Sequence, residues 1–231
     1  MFKRILVPMD GSTPAEEALL AAGLLAERED AALVVAHVEP ESESARDTTM
    51  ESERIERLIA DFRWHGVRTS YFVERGKPEE TIAAIASGQN ADLIVMAPHH
   101  RHLLEALRRP SVTARTFSHA TAAVMIWPET VPGETFRGFL RLPSAAVFVP
   151  LDGSPEAERA LPLAEAFARQ YGRALLLVRV ITPVPFTGAG MPYSIDAQSQ
   201  QVAEREARQY LGALRRRLST ETGLTVQTML L

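Results

Sequence analysis

A repeated segment constrains this chain more than any other feature of its sequence. The segments ILVPMDGSTPAEEAL at 5–19 and VFVPLDGSPEAERAL at 147–161 align without a gap at an offset of 142 residues, which places Asp152 over Asp10. Self-similarity over such a length is typical of a repeated structural unit. We therefore predict two copies of one domain, the second of which begins near Ala145.

The second copy diverges after its second predicted strand. HGVRTSYFV at 65–73 resembles TGLTVQTML at 222–230 at an offset of 157, so the second copy carries 15 extra residues. They fall in 181–200, which is rich in Pro, Gly and Ser and predicts a loop. No counterpart of residues 75–127 follows Leu231. Because a sheet without its last two strands exposes an edge, we expect a fragment, or a chain completed by another chain.

Short apolar runs alternate with helical periodicity in the first copy. This alternation predicts an α/β fold with a parallel sheet and right-handed crossovers. Thr13 and Glu16 predict a capping box at the first helix, with Pro14 at its first position. Ligands of such sheets bind outside the carboxyl ends of the strands. The predicted strands are 3–9, 32–38, 67–73, 91–97 and 122–127, and the predicted helices are 13–29, 50–64, 78–87 and 111–119.

Composition narrows the classes of function. The formal net charge of −4 argues against general binding of nucleic acid, which needs a concentrated basic face. The absence of cysteine excludes disulfides and thiolate zinc sites. No apolar run approaches the roughly 18–20 residues of a membrane span. The first residues reach Pro8 before an apolar signal segment forms, so we expect a cytoplasmic protein without a signal peptide or membrane contact.

Four segments in order carry a resemblance to a known family. KRILVPMDGSTPAEEAL, VERGKPEETIAAIA, ADLIVMAPHHR and AAVMIWP resemble the universal stress protein family over the first copy, and the second copy is covered to its third strand. The resemblance implies a Rossmann-like fold of the adenine nucleotide alpha hydrolase-like type, with a five-stranded parallel sheet of order 3-2-1-4-5. A truncated second copy follows in tandem. The predicted boundaries are 1–128 for domain 1, 129–144 for a linker and 145–231 for domain 2.

The resemblance also implies partners and ligands. Two such domains pair through their fifth strands, either within one chain or in a homodimer. In the ATP-binding branch, an acidic residue after the first strand and the end of the second strand hold adenosine, and a glycine loop holds the phosphates. The candidate nucleotide-binding residues are Asp10, Gly11, Ser12, Val38, Ala97, His100, Arg101, Ser111, Asp152, Gly153, Ser154 and Val180.

The phosphate loop of the first domain departs from the family pattern. Its three glycine positions fall on Ala97, His100 and Pro110, and only Ser111 keeps the pattern. Glycine there lets backbone N–H groups approach a phosphate closely, whereas proline has no N–H to donate. The first domain therefore resembles the family members that lack the loop and do not bind ATP. The corresponding loop of the second domain falls in the missing segment, so an ATP site there stays open.

The residues leave alternatives open. A side-chain anion site is one hypothesis, and imidazole ligation of zinc is another, with Glu105, His119 or water completing the metal site. The aspartates are equally explained as turn residues that bond the next helix. The anion hypothesis uses His99, His100, Arg101, Arg108, Arg109 and Arg115, and the zinc hypothesis uses His99, His100 and His102.

No motif predicts catalysis. No histidine and acid near Ser12 or Ser154 suggest a catalytic triad, so no catalytic residue is predicted, although weak ATPase activity is left open. The carboxylates of 40–53 are better explained as a mobile acidic loop than as an acid/base pair. We expect a stress-response regulatory module that binds protein partners. It needs no cofactor, and ATP or another adenine nucleotide is the candidate ligand.

Overall fold

The computed structural model describes residues 1–39, 45–97, 122–128, 131–135, 146–181, 185–186, 194–195 and 197–231. Residues 2–140 form one compact unit, here called the first unit, and residues 141–231 with Met1 form the second unit. No helix in the described ranges is long and apolar enough to cross a membrane.

Ten strands and six helices lie in these ranges. The first unit contains β1 (Arg4–Met9), α1 (Thr13–Glu29), β2 (Ala32–Glu39), α2 (Ala45–Trp64), β3 (Thr69–Arg75), α3 (Pro78–Gly88), β4 (Leu93–Met96) and β5 (Ala123–Ile126). The second unit contains β6 (Ala146–Pro150), α4 (Pro155–Glu158), α5 (Leu161–Gln170), β7 (Ala174–Arg179), β8 (Pro185–Phe186), β9 (Ser194–Ile195), α6 (Ala197–Thr222) and β10 (Val226–Leu230).

The sheet of the first unit has the predicted topology. Its five strands lie in the order β3-β2-β1-β4-β5, and every neighbouring pair is parallel. This confirms the predicted α/β class and the order 3-2-1-4-5. Because all five strands run in one direction, their carboxyl ends lie along one edge of the sheet, where ligands of such folds bind.

Helices cover both faces of this sheet. On one face, Ile82 and Ala86 of α3 pack with Leu6, Val34 and Ile94 of three neighbouring strands. The residues of β1 and β2 are buried almost without interruption rather than in alternation. Burial of each such aliphatic side chain contributes roughly 1.5–3 kcal/mol. The continuous apolar runs of the two strands therefore reflect burial from both sides.

The N-cap of the first helix lies one residue before the predicted cap. Ser12, not Thr13, is the N-cap, and its hydroxyl oxygen accepts a hydrogen bond from the backbone N–H of Ala15 at 3.3 Å. The predicted capping box is wrong, because Glu16 forms an ion pair with Arg54 of α2 at 2.7 Å. The side chain of Glu16 thus joins two helices instead of bonding the backbone behind it.

Two segments that were predicted as loops contain regular structure. Residues 45–53 of the predicted acidic loop are helical and form the start of α2, so that prediction is wrong for them. Within 181–200, β8 pairs with β9 in antiparallel register and α6 begins at Ala197, so the loop prediction is wrong there too. Both segments are polar and lack a long apolar periodicity, so the sequence did not indicate regular structure there.

The segment after β5 packs back on the first unit. The indole N–H of Trp127, which is 8% exposed, donates to the carbonyl of Val131 at 2.6 Å. The backbone N–H of Gly133 donates to a carboxylate oxygen of Glu17 at 2.6 Å. A side chain at Gly133 would overlap the backbone of α1. These contacts attach residues 131–135 to α1, although the sequence analysis assigned these residues to the linker at 129–144.

The second unit has a smaller sheet with one well-covered face. Its strands lie in the order β10-β7-β6, and both pairs are parallel. Leu161 and Ala168 of α5 pack with Leu211 and Leu214 of α6 over this face. In the described part of the chain β6 is an edge strand, and its Phe148 side chain is 65% exposed.

We expect Gly23→Ala to destabilise the first unit. An added Cβ at this α1 position would overlap the ring of Phe62 on α2, and overpacking of a core typically costs about 1–3 kcal/mol. Urea unfolding should show the loss, and Phe62→Leu in the same chain should recover part of it. Gly88→Ala is the matched control, because nothing lies within 4 Å of its added Cβ. Equal effects of the two substitutions would contradict this packing.

Candidate functional site

The aspartate of the turn after β1 stabilises the backbone of that turn. One carboxylate oxygen of Asp10 accepts from the backbone N–H of Ser12 at 3.0 Å and from the Ser12 hydroxyl at 2.6 Å. Gly11 has a φ of 74°, a left-handed value that glycine adopts without strain. The turn therefore shows the backbone role that was predicted as one alternative for Asp10. Its ligand role stays a prediction.

The carboxyl end of β2 is closed in the first unit. Val38 is 9% exposed and belongs to the core cluster beneath α3. Beside it, His37 is 4% exposed, and its Nδ1 lies 3.0 Å from the carbonyl oxygen of Met9. Because a carbonyl oxygen only accepts, Nδ1 carries the hydrogen and donates it. His37 thus ties the ends of β1 and β2 together beside the predicted adenine position.

An ion pair between buried Glu39 and exposed Arg75 continues this edge toward β3. Glu39 is 7% exposed, and its carboxylate accepts a hydrogen bond from Nε of Arg75 at 2.8 Å. The backbone N–H of Gly76 donates to the Glu39 carbonyl at 3.1 Å. The sequence interpretation missed both His37 and Glu39. A polar residue near the end of an otherwise apolar strand was the available signal for each.

Much of the predicted anion loop lies outside the described residues. Ala97 is described, and it is partly buried just after β4. His99, His100, Arg101, His102 and Ser111 lie outside the described ranges, with Glu105, Arg108, Arg109, Pro110, Arg115 and His119. The side-chain anion site and the zinc site of the first domain therefore stay predictions. The described ranges hold no group of three or more His, Asp and Glu residues that could bind a metal ion.

The second unit repeats the turn after its first strand. The Asp152 carboxylate accepts from the backbone N–H of Ser154 at 2.8 Å, and the Ser154 hydroxyl oxygen accepts from the N–H of Ala157 at 3.1 Å. Gly153 has a φ of 94°. Hydrogen bonds from the Ser154 hydroxyl and backbone lower the pKa of Asp152, and the charge of Arg179 lowers it further. Asp152 is therefore held as a carboxylate.

An arginine from β7 lies over this turn. The guanidinium of Arg179 is stacked against Gly153, because an added Cβ there would lie 3.3–3.5 Å from three guanidinium atoms. Its Cζ lies 5.4 Å from the centre of the Tyr210 ring, within the range of a cation–π contact. The guanidinium is therefore held between a glycine backbone and an aromatic ring, at the carboxyl end of the sheet.

Tyr210 is fixed by a carboxylate of α4. Its hydroxyl donates to Glu158 at 2.9 Å, and burial together with Glu158 raises the pKa of Tyr210 to about 12. The other carboxylate oxygen of Glu158 lies 3.3 Å from a guanidinium nitrogen of Arg217. The charge of Glu158 is thus already balanced within the protein.

The two units differ at the end of their second strands. Val180, which the repeat aligns with Val38, is 65% exposed, whereas Val38 is 9% exposed. Arg179 stands at the position of His37. The second unit therefore has an arginine where the first unit has a buried histidine, and its described part has no counterparts of α3, β4 and β5, which cover Val38 in the first unit.

This fold defines a Rossmann-type α/β class, in which the carboxyl ends of the parallel strands lie along one edge. A model of the universal stress protein family matches residues 1–128 and 145–230, so the chain belongs to the universal stress protein family. No curated protein sequence matches the chain closely enough to count as a relative.

Solved structures resemble the chain over different lengths. A universal stress protein from Archaeoglobus fulgidus DSM 4304 is 18% identical, with a TM-score of 0.64 over 98% of this chain and 77% of that one. A protein of unknown function from Pseudomonas aeruginosa PAO1 is 15% identical, with a TM-score of 0.63 over 99% and 74%. A universal stress protein in complex with cAMP is 18% identical, with a TM-score of 0.49 over 56% and 98%. The first two likenesses show the fold.

We expect the Asp152 carboxyl to titrate below its ordinary value of 3.8. Ser154→Ala should raise this pKa, because the hydroxyl bond is its largest cause, and Arg179→Gln should raise it less. Carbon-13 NMR of the carboxyl group during an acid titration measures both shifts. A larger shift in Arg179→Gln than in Ser154→Ala would contradict the arrangement.

The sign of the effect on stability follows from the lowered pKa. Ionised Asp152 adds stability above its unfolded-state pKa, and this stability disappears as pH falls through the lower folded-state pKa. The melting temperature of Asp152→Asn should therefore be lower than that of the original chain at neutral pH. The difference should vanish in strong acid.

Proposed function

We propose that this chain is a stress-response regulatory module that acts by binding and not by catalysis. Membership of the universal stress protein family supports this role, and no nucleophile with a neighbouring base is present among the described residues of either crevice. In the first unit, Ala97, His100 and Pro110 occupy the glycine positions of the family's phosphate loop. The first domain then serves as an interaction domain that does not bind ATP in the usual manner.

We infer that any adenine nucleotide binds at the second unit. The observation that carries this proposal is the Asp152 turn, whose carboxylate accepts a hydrogen bond from the backbone N–H of Ser154 at 2.8 Å and is held ionised. Asp152, held ionised beside Val180, supplies the acceptor that a ribose or adenine donor needs.

Equivalent substitutions at Asp152 and Asp10 test which of the two units binds adenosine. Asp152→Ala should weaken adenosine binding about tenfold or more, because it removes a charged acceptor, whereas Asp10→Ala should leave it unchanged. Titration calorimetry on the full chain measures both affinities. Circular dichroism checks that each variant is folded. If Asp10→Ala weakened binding and Asp152→Ala did not, the site would belong to the first unit.

We also propose that β5 pairs with a further domain, as the fifth strands of the family do. In the described sheet β5 is an edge strand, and Ile126 is 51% exposed. The backbone N–H groups of Ala123 and Trp127 point toward β4, with acceptors at 3.2 and 2.9 Å. Because N–H directions alternate along a strand, the N–H of Ile126 points away from β4. The pairing partner is either β5 of a second copy of the chain or another strand edge of the second domain, whose described sheet has no counterpart of β5.

Ile126→Pro tests this edge, because proline removes the outward N–H without removing a bond to β4. Light scattering should show a dimer converted to a monomer if two copies pair there. If the two domains of one chain pair, the mass should stay monomeric and the hydrodynamic radius should increase. Ile126→Ala keeps the N–H and should change neither measurement. A dimer that survives Ile126→Pro would show that it forms elsewhere.

A further inference from the structure

A groove of about 580 Å³ lies in the first unit between α1, α2 and the segment 131–135. Its apolar lining comes from Leu20 and Leu24 of α1 and Phe62 of α2. Leu20 is 37% exposed although three elements meet around it. Because covering apolar surface lowers the free energy, an apolar occupant of this groove would be stabilised.

Acidic residues line the same groove. Glu27, Asp61 and Glu134 contribute carboxylates to it, and His65 lies beside them. All four residues are exposed. The described residues that line the groove include no lysine or arginine. Complementarity of charge therefore favours an occupant that combines apolar side chains with a positive charge.

Residues 136–140 follow directly after a segment that lines the groove. Thr135, the last described residue before them, is part of the lining. The position of this segment is fixed on α1, because the backbone N–H of Gly133 donates to the carboxylate of Glu17 at 2.6 Å. The compact first unit extends to Leu140, so these five residues belong to the same unit as the groove.

We propose that the groove is the docking site of residues 136–140 of the same chain. Their sequence, FRGFL, has the required chemistry. Phe136, Phe139 and Leu140 supply the apolar side chains, and Arg137 supplies the positive charge. The first domain then includes this segment and does not end at the boundary that the sequence predicted.

Covalent attachment favours this occupant over a separate protein. A segment that is joined to the lining through Thr135 has a high effective concentration at the groove, whereas a separate partner must also lose its freedom of translation. The energetic need is correspondingly small. Burial of one or two aromatic side chains and a pairing of Arg137 with the carboxylates suffice to hold the segment.

Hydrogen exchange of the full chain, measured by mass spectrometry on peptides that span 136–140, tests the docking. These amides should exchange at least about tenfold more slowly than those of a free FRGFL peptide. Phe139→Ala should remove about tenfold or more of this protection, because it removes a buried aromatic side chain. Leu20→Ala, on the groove side, should remove roughly 3- to 10-fold.

Leu163→Ala is the matched control for Leu20→Ala. Leu163 is a leucine of α5 that is 42% exposed and does not line the groove, so its substitution should leave the protection of 136–140 unchanged. The melting temperature of each variant shows whether the chain is still folded. Both leucines are partly exposed, so neither substitution should prevent folding.

A charge exchange tests the polar part of the docking. Asp61→Arg and Arg137→Glu should each lower the protection of 136–140 by roughly 2- to 5-fold, as expected for an exposed ion pair. The double variant should recover most of the loss, because it restores opposite charges. Asp61 is exposed, so its substitution leaves the core intact.

Three results would overturn the inference. Amides of 136–140 that exchange as fast as those of the free peptide would show that the segment does not dock. Protection that both Leu20→Ala and Asp61→Arg leave unchanged would show that it docks elsewhere. Protection that rises with protein concentration would show that the groove holds the segment of a second copy.

Discussion

Parallel pairing of strands that are buried on both faces is the constraint on which the first unit depends. It requires a helical crossover between successive strands, and the crossovers bring every strand end to one edge. Polar chemistry can appear only there, because the strand interiors are covered by helices. The Asp–Gly–Ser turn meets this requirement by satisfying its own backbone, since Ser12 both donates to Asp10 and caps α1.

The two copies share this scaffold but carry different residues at its edge. The turn has the same bonds in both units, whereas the end of the second strand differs completely. In the first unit His37 and Val38 complete the core. In the second unit Arg179 is stacked on the surface and Val180 is open. The same aligned positions therefore differ in burial, because α3, β4 and β5 cover this strand end in the first unit.

The sequence predicted the sheet order, through the family resemblance, and the position of the aspartate turn. Apolar runs identify buried strands, and the repeat aligns the strands of one copy with those of the other. It did not predict that Glu16 pairs with Arg54 instead of closing a capping box, because that choice depends on a helix 38 residues further along the chain. It also missed the stacking of Arg179 on Tyr210, since contacts between distant elements leave no periodicity to read.

The packing of Trp127 has a spectroscopic consequence. The chain has two tryptophans, and both belong to the first unit. Trp64 is 88% exposed and will emit as a solvated indole, whereas Trp127 is 8% exposed and bonded to the carbonyl of Val131. Intrinsic tryptophan emission is therefore an optical label for one half of this protein. Its blue component reports whether the segment after β5 is attached to the first unit.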